Sequence, residues 1–150
     1  MASTDAADLA HLFTAIDHVG VAVADLDAAI TFYRDVLGMA LVHQESNPDQ
    51  GVREAMMAVG DSGSFVQLLA PLTPDSPIGK FLDRNGPGLQ QVACRVDDID
   101  AVSETLRSRG LRLLYDAPRR GTAGARINFV HPKDVGGVLL ELVQPPGPTH

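Results

Sequence analysis

The stretch "AIDHVGVAV" (residues 15–23) decides the fold, because it returns in altered form as "GLQQVACRV" (residues 88–96). In the same way, "VQLLAP" (66–71) returns as "LELVQP" (140–145). Matches at both ends of two equally long segments indicate an internal repeat. Each copy opens with alternating residues, such as Val19, Val21 and Val23 on one face of the first, which is typical of a half-buried strand.

Each copy predicts the same succession of elements. The segments "DLDAAITFYRDVLG" (25–38) and "DIDAVSETLRSRG" (98–110) combine an aspartate start, helical spacing of apolar residues and a glycine stop. Three extended stretches follow each helix, around 41–45, 52–59 and 65–69, and around 111–115, 126–130 and 138–143. The predicted fold class is therefore α+β, with two tandem βαβββ modules.

The repeat also predicts the domain organisation. We expect one domain over residues 15–146, with module one at about 15–72, a linker with a short helix at 73–88, and module two at 89–146. Residues 1–14 carry no targeting pattern, and the final "PPGPTH" cannot continue a strand. Residues 1–14 and 147–150 are therefore predicted to be disordered tails.

Composition narrows the possible partners and the compartment. A single cysteine, Cys94, excludes an internal disulfide, and this favours a reducing compartment such as the cytoplasm. The net charge of −7 argues against a nucleic-acid partner. Because no apolar run approaches the roughly 20 residues of a membrane helix, we expect no membrane partner either.

The repeat predicts a site as well as a fold. A pseudo-twofold axis would bring equivalent residues together on the sheet face that the helices leave uncovered, pairing His18 with Gln91 and Gln67 with Glu141. One imidazole, two amides and a carboxylate suit a divalent ion such as cobalt, manganese, nickel, magnesium or zinc. The alternatives are a hydrogen-bonded or exposed histidine, a solvent-facing carboxylate, and a glutamine that bonds only its neighbours.

Glu54 is the candidate general base. It shares strand parity with Val52 and Met56, and the repeat lays it over Asn128. Burial beside apolar residues would raise the pKa of its carboxyl toward the range that suits a base at neutral pH. The alternative is a surface carboxylate paired with Arg53.

Between residues 16 and 145 the chain resembles the methylmalonyl-CoA epimerase family of the vicinal oxygen chelate superfamily, which also holds glyoxalase I and the bleomycin-resistance proteins. The resemblance depends on six motifs: "IDHVGVAV", "QGVREAM", "VQLLAP", "RNGPGL", "LLYDAPRRGTAGARINFVHPK" and "GVLLELV". It implies a vicinal oxygen chelate fold, in which a cupped mixed β-sheet surrounds a metal site.

The resemblance also implies roles for single residues. His18, Gln67 and Glu141 fall on three of the family's metal ligands, and Glu54 falls on its catalytic base. Many members have two histidines where this chain has Gln90 and Gln91; alternation points Gln91 into the cavity as the fourth ligand and Gln90 away from it.

The implied activity is the interconversion of (2R)- and (2S)-methylmalonyl-CoA by α-proton abstraction and reprotonation through a metal-stabilised enolate. Glu141 would be the second acid/base group. The implied cofactor is one divalent ion per chain, with cobalt as first choice, and the implied assembly is a homodimer. The predicted contacts to the acyl-CoA substrate are Asn128, Arg119, Arg120 and Lys133, although solvated surface is the other reading of the basic residues.

Two other functions fit the same fold. A glyoxalase-type isomerase also moves a proton beside a metal-bound enolate, and the substrate loop would distinguish it. A non-catalytic module that binds a drug or a thiol would need neither Glu54 nor the ligand set. A non-haem iron oxygenase is disfavoured, because that chemistry uses two histidines and one carboxylate, and this set has a single histidine.

Overall fold

The structure is a computed structural model, and it describes residues 12–147. Within them the strands are β1 Ala15–Ala22, β2 Ala40–Asn47, β3 Val52–Ala58, β4 Phe65–Pro71, β5 Gly88–Arg95, β6 Arg119–Arg120, β7 Arg126–Val130 and β8 Leu139–Gln144. The helices are α1 Leu26–Thr31, α2 Pro77–Asn85 and α3 Ile99–Ser108, and α1 continues as a wider π-helical turn over Phe32–Val36. Short 3₁₀ turns occupy Thr122–Gly124 and Pro132–Asp134.

The strands form one mixed sheet in the order β2-β3-β4-β1-β5-β8-β7-β6. At its centre β1 and β5 run antiparallel, with Val19 opposite Val92. Each central strand has a parallel neighbour from its own module, so that Val19 lies opposite Val66 and Val92 opposite Leu140. The two pairs occupy equivalent positions in the two modules, as a pseudo-twofold axis requires. The mixed eight-stranded sheet and its helices confirm the predicted α+β fold class.

The repeated helices lie on the outer face of the sheet and begin as the sequence predicts. The side chains of Asp25 and Asp98 each accept a hydrogen bond from the backbone N–H three residues later. Helix α1 buries Leu26 and Ile30 against β3 and β4. Helix α3 buries its apolar side chains against β7 and β8 in the second module, with Ile99, Val102 and Leu106 contacting Val130 and Leu142. The inner face of the sheet is left for the polar residues.

The linker helix α2 lies on the inner face. Its N-cap Ser76 accepts a hydrogen bond from the backbone N–H of Gly79, and its buried Ile78 packs against Ala22, Val52 and Leu69. These three sheet residues lie on the same face as the predicted ligands. Helix α2 therefore closes one end of the cup that holds the site.

The fold departs from expectation at residues 111–115. These were expected to form a strand, but only a single bridge joins Leu113 to Val130. The fully buried Asn128 interrupts the ladder, because its side chain accepts from the backbone N–H of Tyr115 and donates to the Tyr115 carbonyl. The pairing resumes further along the chain as the two-residue strand β6.

Residues 12–14, which precede β1, contact the core. Leu12 is 8% exposed and belongs to the second module's core, and the backbone N–H of Thr14 donates to the Arg95 carbonyl. Residues 12–14 are therefore not part of a disordered tail, contrary to the prediction. Its remainder, 1–11, and residues 148–150 lie outside the described residues. Among the described helices, none is long and apolar enough to cross a membrane.

Candidate active site

The four predicted ligands meet on the inner face of the sheet. The Nε2 atom of His18 lies 3.1 Å from Oε1 of Glu141. The Gln91 amide donates to the same Glu141 oxygen at 2.7 Å and to the Gln67 carbonyl oxygen at 3.3 Å. Each of the four residues is at most 8% exposed. The repeat therefore predicted this convergence correctly.

The donor set fits a divalent cation. Two adjacent octahedral ligands, each about 2.1 Å from an ion, lie about 3 Å apart. Three contacts of 2.7–3.3 Å join the four side chains, and Gln91 makes two of them through its amide nitrogen. Among the described residues, no group of three or more His, Cys, Asp or Glu side chains has metal-binding geometry. A cation here would therefore need the amide oxygens of Gln67 and Gln91 to complete its shell.

A glycine and a bulge position the amides. A Cβ on Gly20 would lie 2.5 Å from Cγ of Gln91, so that only glycine lets this side chain cross β1. Gly20 pairs with Gln91 and Val21 pairs with Leu89, which leaves Gln90 as an extra residue in β5. Gln90 lines the cavity beside Gln91. The expectation that Gln90 points away is wrong, because the bulge breaks the alternation.

His18 is oriented by two groups that the sequence reasoning missed. Its Nδ1 lies 2.7 Å from Asp17, which accepts two hydrogen bonds from the Arg95 guanidinium. A bulge between Ile16 and His18 lets the neighbouring Asp17 carboxylate reach the ring. Burial alone would lower the pKa of His18, but the hydrogen bonds and charges of Asp17 and Glu141 outweigh it and raise the pKa to about 9. Burial alone would raise the pKa of Asp17, but its hydrogen bonds with His18 and Arg95 and their charges outweigh it and lower the pKa.

Glu54 lies beside the cluster of His18, Gln67, Gln91 and Glu141. It is 3% exposed, and its carboxylate accepts a 3.1 Å hydrogen bond from the Gln67 amide and another from the Thr122 hydroxyl. Desolvation, helped by the nearby charges of Glu45 and Glu141, raises the pKa of Glu54 to about 7 against the opposing effect of Thr122. A buried carboxyl with this pKa can accept and return a proton near neutral pH. The surface pairing with Arg53 is not formed.

A loop from module two crosses the cup above these residues. Besides bonding Glu54, the Thr122 hydroxyl accepts from the Gln67 amide at 2.8 Å. The next residue, Ala123, donates its backbone N–H to Glu45 on β2 and holds a left-handed φ of 56°. Such backbone strain in a non-glycine residue is characteristic of functional sites. Nothing in the repeat pointed to Thr122, because module one has no counterpart of this loop.

Two cavities adjoin the cluster, one on each side of Thr122. The first has a volume of about 210 Å³ and exposes His18, Met56 and Phe65. The second has a volume of about 110 Å³ and exposes Glu54, Gln67, Gln91 and part of α2. Glu141 and Thr122 line both. A substrate that enters from either side therefore meets the same polar groups.

Asn128 lies outside the site, contrary to the prediction of substrate contact. Glu54 pairs with Leu69 on β4, and the equivalent Val143 on β8 pairs with Ile127, so that the structural counterpart of Glu54 is Ile127. The sequence alignment of the two modules used one constant offset, which placed Asn128 opposite Glu54, one residue away from the true counterpart. An error of one residue places a strand side chain on the opposite face of the sheet.

The three basic residues that were predicted to contact the substrate lie in different places. The Arg119 guanidinium stacks 4.0 Å above the ring of Tyr115, and Arg120 forms a 3.0 Å ion pair with Glu45 beside the crossing loop. Lys133 lies in the turn between β7 and β8 and lines neither cavity. The structure therefore does not bring the three residues together as one basic cluster.

Comparison with known proteins gives the family. A model of the glyoxalase/bleomycin resistance protein/dioxygenase superfamily matches residues 17–129. A crystal structure of methylmalonyl-CoA epimerase from Mycobacterium tuberculosis is 61% identical, covers 91% of both chains and superposes with a TM-score of 0.89. This chain belongs to the methylmalonyl-CoA epimerase family of that superfamily.

Two further methylmalonyl-CoA epimerases extend the comparison. A Streptomyces coelicolor variant in complex with 2-nitronate-propionyl-CoA is 47% identical, covers 90% of this chain and 99% of that one, and has a TM-score of 0.87. The mitochondrial enzyme of Mus musculus is 42% identical over 86% of this chain and 72% of its own length. The resemblance to the methylmalonyl-CoA epimerase family read from the six motifs is confirmed.

Proposed function

We propose that the chain interconverts (2R)- and (2S)-methylmalonyl-CoA by moving the α-proton from one face of the substrate to the other. The observation that carries the proposal is the buried Glu54 carboxyl, hydrogen-bonded through Gln67 to a cluster of cation-ligand type. Relatives that are 42% to 61% identical are named for this reaction, and one of them holds an acyl-CoA analogue.

Glu54 would remove the proton. The α-carbon of the substrate lies between a thioester and a carboxylate, so that losing its proton places negative charge on the thioester oxygen. Because the pKa of Glu54 is about 7, the carboxylate is available at neutral pH and still basic enough to take that proton. The Thr122 hydroxyl and the Gln67 amide fix its orientation.

Glu141 would complete the inversion from the other side. Both of its hydrogen bonds, from His18 and Gln91, go to Oε1. Among the described residues this leaves Oε2 for a proton exchanged with the substrate. Inversion requires one acid/base group on each face of the α-carbon, and the chain Glu54–Gln67–Gln91–Glu141 places two carboxyls at opposite ends of one hydrogen-bonded row.

The cluster of His18, Gln67, Gln91 and Glu141 would hold one divalent cation, with cobalt as first choice and manganese, nickel, magnesium and zinc as alternatives. Such an ion supplies a positive charge against which the developing negative charge of the substrate is stabilised. The hydrogen bond between Asp17 and Nδ1 of His18 would hold the imidazole in place for ligation through Nε2. To ligate through oxygen, Gln91 must turn its amide by half a rotation from the arrangement that now donates to Glu141.

The test is conversion of one epimer into the other. Purified protein is given (2S)-methylmalonyl-CoA, and the product is followed with an enzyme that consumes only the (2R) epimer. We expect turnover that a chelator abolishes and that added cobalt restores, with about one ion per chain in the active protein. Absence of turnover with every candidate ion would contradict the proposal. A homodimer and a cytoplasmic location stay predictions, for which gel filtration and cell fractionation are the measurements.

A further inference from the structure

Glu45 joins the two edges of the sheet. Strand β2, which carries Glu45, lies at one edge of the eight-stranded order, and β6, which carries Arg120, lies at the other. A flat sheet of this size would separate its edges by about 34 Å, since neighbouring strands lie about 4.8 Å apart. The Arg120 guanidinium nevertheless donates to Oε2 of Glu45 at 3.0 Å. The sheet therefore curls far enough for one ion pair to span its open side.

The same carboxylate holds the crossing loop, residues 121–125. Its Oε1 atom accepts a 2.8 Å hydrogen bond from the backbone N–H of Ala123 and lies 2.7 Å from Nε2 of His43. Ala123 has a left-handed φ of 56°, which is unfavourable for a residue with a Cβ. Both oxygens of Glu45 are therefore engaged, and the bond from Ala123 helps to offset the strain in the loop.

The position of Glu45 in the sheet is itself unfavourable for a charge. In the register of β2 with β3 it lies directly opposite Glu54, and like charges at opposite positions destabilise paired strands. Burial alone would raise the pKa of Glu45, but hydrogen bonds from Ala123 and His43 outweigh it and lower the pKa. The packing of the sheet does not explain a carboxylate here, whereas its contacts with the loop and with β6 do.

The crossing loop carries Thr122 next to the residue that Glu45 holds. The Thr122 hydroxyl donates to the Glu54 carboxylate and accepts from the Gln67 amide at 2.8 Å. Because Thr122 and Ala123 are adjacent, the bond from Ala123 to Glu45 fixes the backbone that aims this hydroxyl. Glu45 therefore influences the orientation of Glu54 through the loop.

The internal hydrogen bonds of the loop cannot replace this anchor. The backbone N–H of Gly121 donates to the Ala125 carbonyl, and that of Ala125 donates to the Thr122 carbonyl. These two bonds fix the shape of the loop, but they do not attach it to module one. The attachment of its backbone to β2 is the bond to Glu45.

We infer that Glu45 is a positioning residue for the proposed reaction, because it joins β2 to β6, anchors Ala123 and so keeps the Thr122 hydroxyl on the Glu54 carboxylate. The inference rests on the proposed function for the role of Glu54. It adds a residue outside the cluster that acts on the orientation of the base. Its loss should therefore alter kcat rather than KM.

The test replaces Glu45 with alanine, which removes both acceptor oxygens. The matched control is Asp134→Ala, in the turn between β7 and β8. Asp134 also accepts from one backbone N–H and one guanidinium, both of Arg112, and its side chain is 18% exposed against 14% for Glu45. Asp134 lines neither cavity. Both variants therefore lose hydrogen bonds of the same kind, but only Glu45→Ala releases the crossing loop.

We expect Glu45→Ala to lower kcat for methylmalonyl-CoA about ten-fold with KM within about two-fold of wild type, and Asp134→Ala to change neither. Measurement at pH 8.5 keeps Glu54 ionised in all three proteins, because its pKa is about 7 and the loss of a neighbouring negative charge lowers it. A raised KM with unchanged kcat would overturn the inference, since the loop would then bind substrate. Unchanged kinetics, or equal losses in both variants, would also overturn it.

Hydrogen exchange of the Ala123 amide, followed by NMR, needs no turnover and separates the two proposals. This amide should exchange at least about ten-fold faster in Glu45→Ala than in wild type, and no faster in Asp134→Ala. An unchanged exchange rate would show that Glu45 does not anchor the loop. If exchange is faster in Glu45→Ala but wild type epimerises nothing, the anchor stands and the proposed function fails.

Discussion

Replacing Glu54 with glutamine should make the protein more stable and less active. Folding raises the pKa of this carboxyl from 4.5 to about 7, chiefly by desolvation. The folded protein therefore holds a proton that the unfolded chain releases, and its stability falls as pH rises between about 4.5 and 7. Glutamine fills the same space without a titrating group, so that the variant escapes this loss.

The size of the gain follows from the shift. The rise in the pKa of Glu54 from 4.5 to about 7 lowers the unfolding free energy of the wild type by at most about 3 kcal/mol above pH 7. This value is the upper limit of the gain expected for Glu54→Gln. The gain falls below about 1 kcal/mol at pH 5, where the folded carboxyl of Glu54 is protonated and the unfolded one only partly ionised. Loss of the base should at the same time lower kcat by about 10² to 10⁴.

The assay is urea unfolding of the metal-free wild type and Glu54→Gln at pH 8 and pH 5, followed by circular dichroism. Glu45→Gln is the control, because hydrogen bonds from Ala123 and His43 lower the pKa of Glu45 against its burial, and removing that charge should destabilise the protein. A Glu54→Gln protein that is less stable than wild type at pH 8 would refute the reasoning, since it would mean that the charged carboxylate is well satisfied in the folded state.

Four other outcomes are expected. Gly20→Ala should displace Gln91 and weaken cobalt binding by about ten-fold or more, measured by calorimetry. Asp17→Asn should shift the His18 titration in NMR spectra downward from about 9, since a supporting charge is lost. Cobalt binding at pH 7.5 should release close to one proton, because His18 must lose its proton to ligate; equal binding heats in buffers of different ionisation enthalpy would contradict this. The value of kcat/KM should fall as the pH drops below the pKa of Glu54, because the protonated carboxyl cannot act as the base. That pKa is about 7 without a metal ion, and a bound cation would lower it.

The sequence predicted the fold and the convergence of His18, Gln67, Gln91 and Glu141 because both depend on the repeat. Alternation and the paired motifs placed His18, Gln67 and Glu141 on one face of the sheet. This prediction holds because the pairings of β1 with β4 and of β5 with β8 contain no bulge. Capping aspartates such as Asp25 marked the helices, and Ser76 lies one residue before the linker helix. Features that two copies share are visible in one sequence.

The errors at the site occur where the two copies differ or a strand bulges. The bulge at Gln90 turned an expected outward side chain inward, and a one-residue slip exchanged Ile127 for Asn128 as the counterpart of Glu54. The crossing loop with Thr122 belongs to module two alone. Its contacts join residues 68 positions apart in the chain, which no local pattern indicates. Local periodicity therefore located the cluster, but only tertiary contacts located the groups that orient it.

The central claim is that Glu54 exchanges the α-proton of an acyl-CoA bound beside the four-residue cluster. Mass spectrometry of (2R)- and (2S)-methylmalonyl-CoA incubated in deuterated water, with wild type or Glu54→Gln and with cobalt or a chelator, tests it most directly. The account predicts one deuterium at the α-carbon of either epimer with cobalt-loaded wild type, and exchange at least about 10²-fold slower with the variant. Equal rates for wild type and variant, or no exchange by the cobalt-loaded wild type, would contradict it.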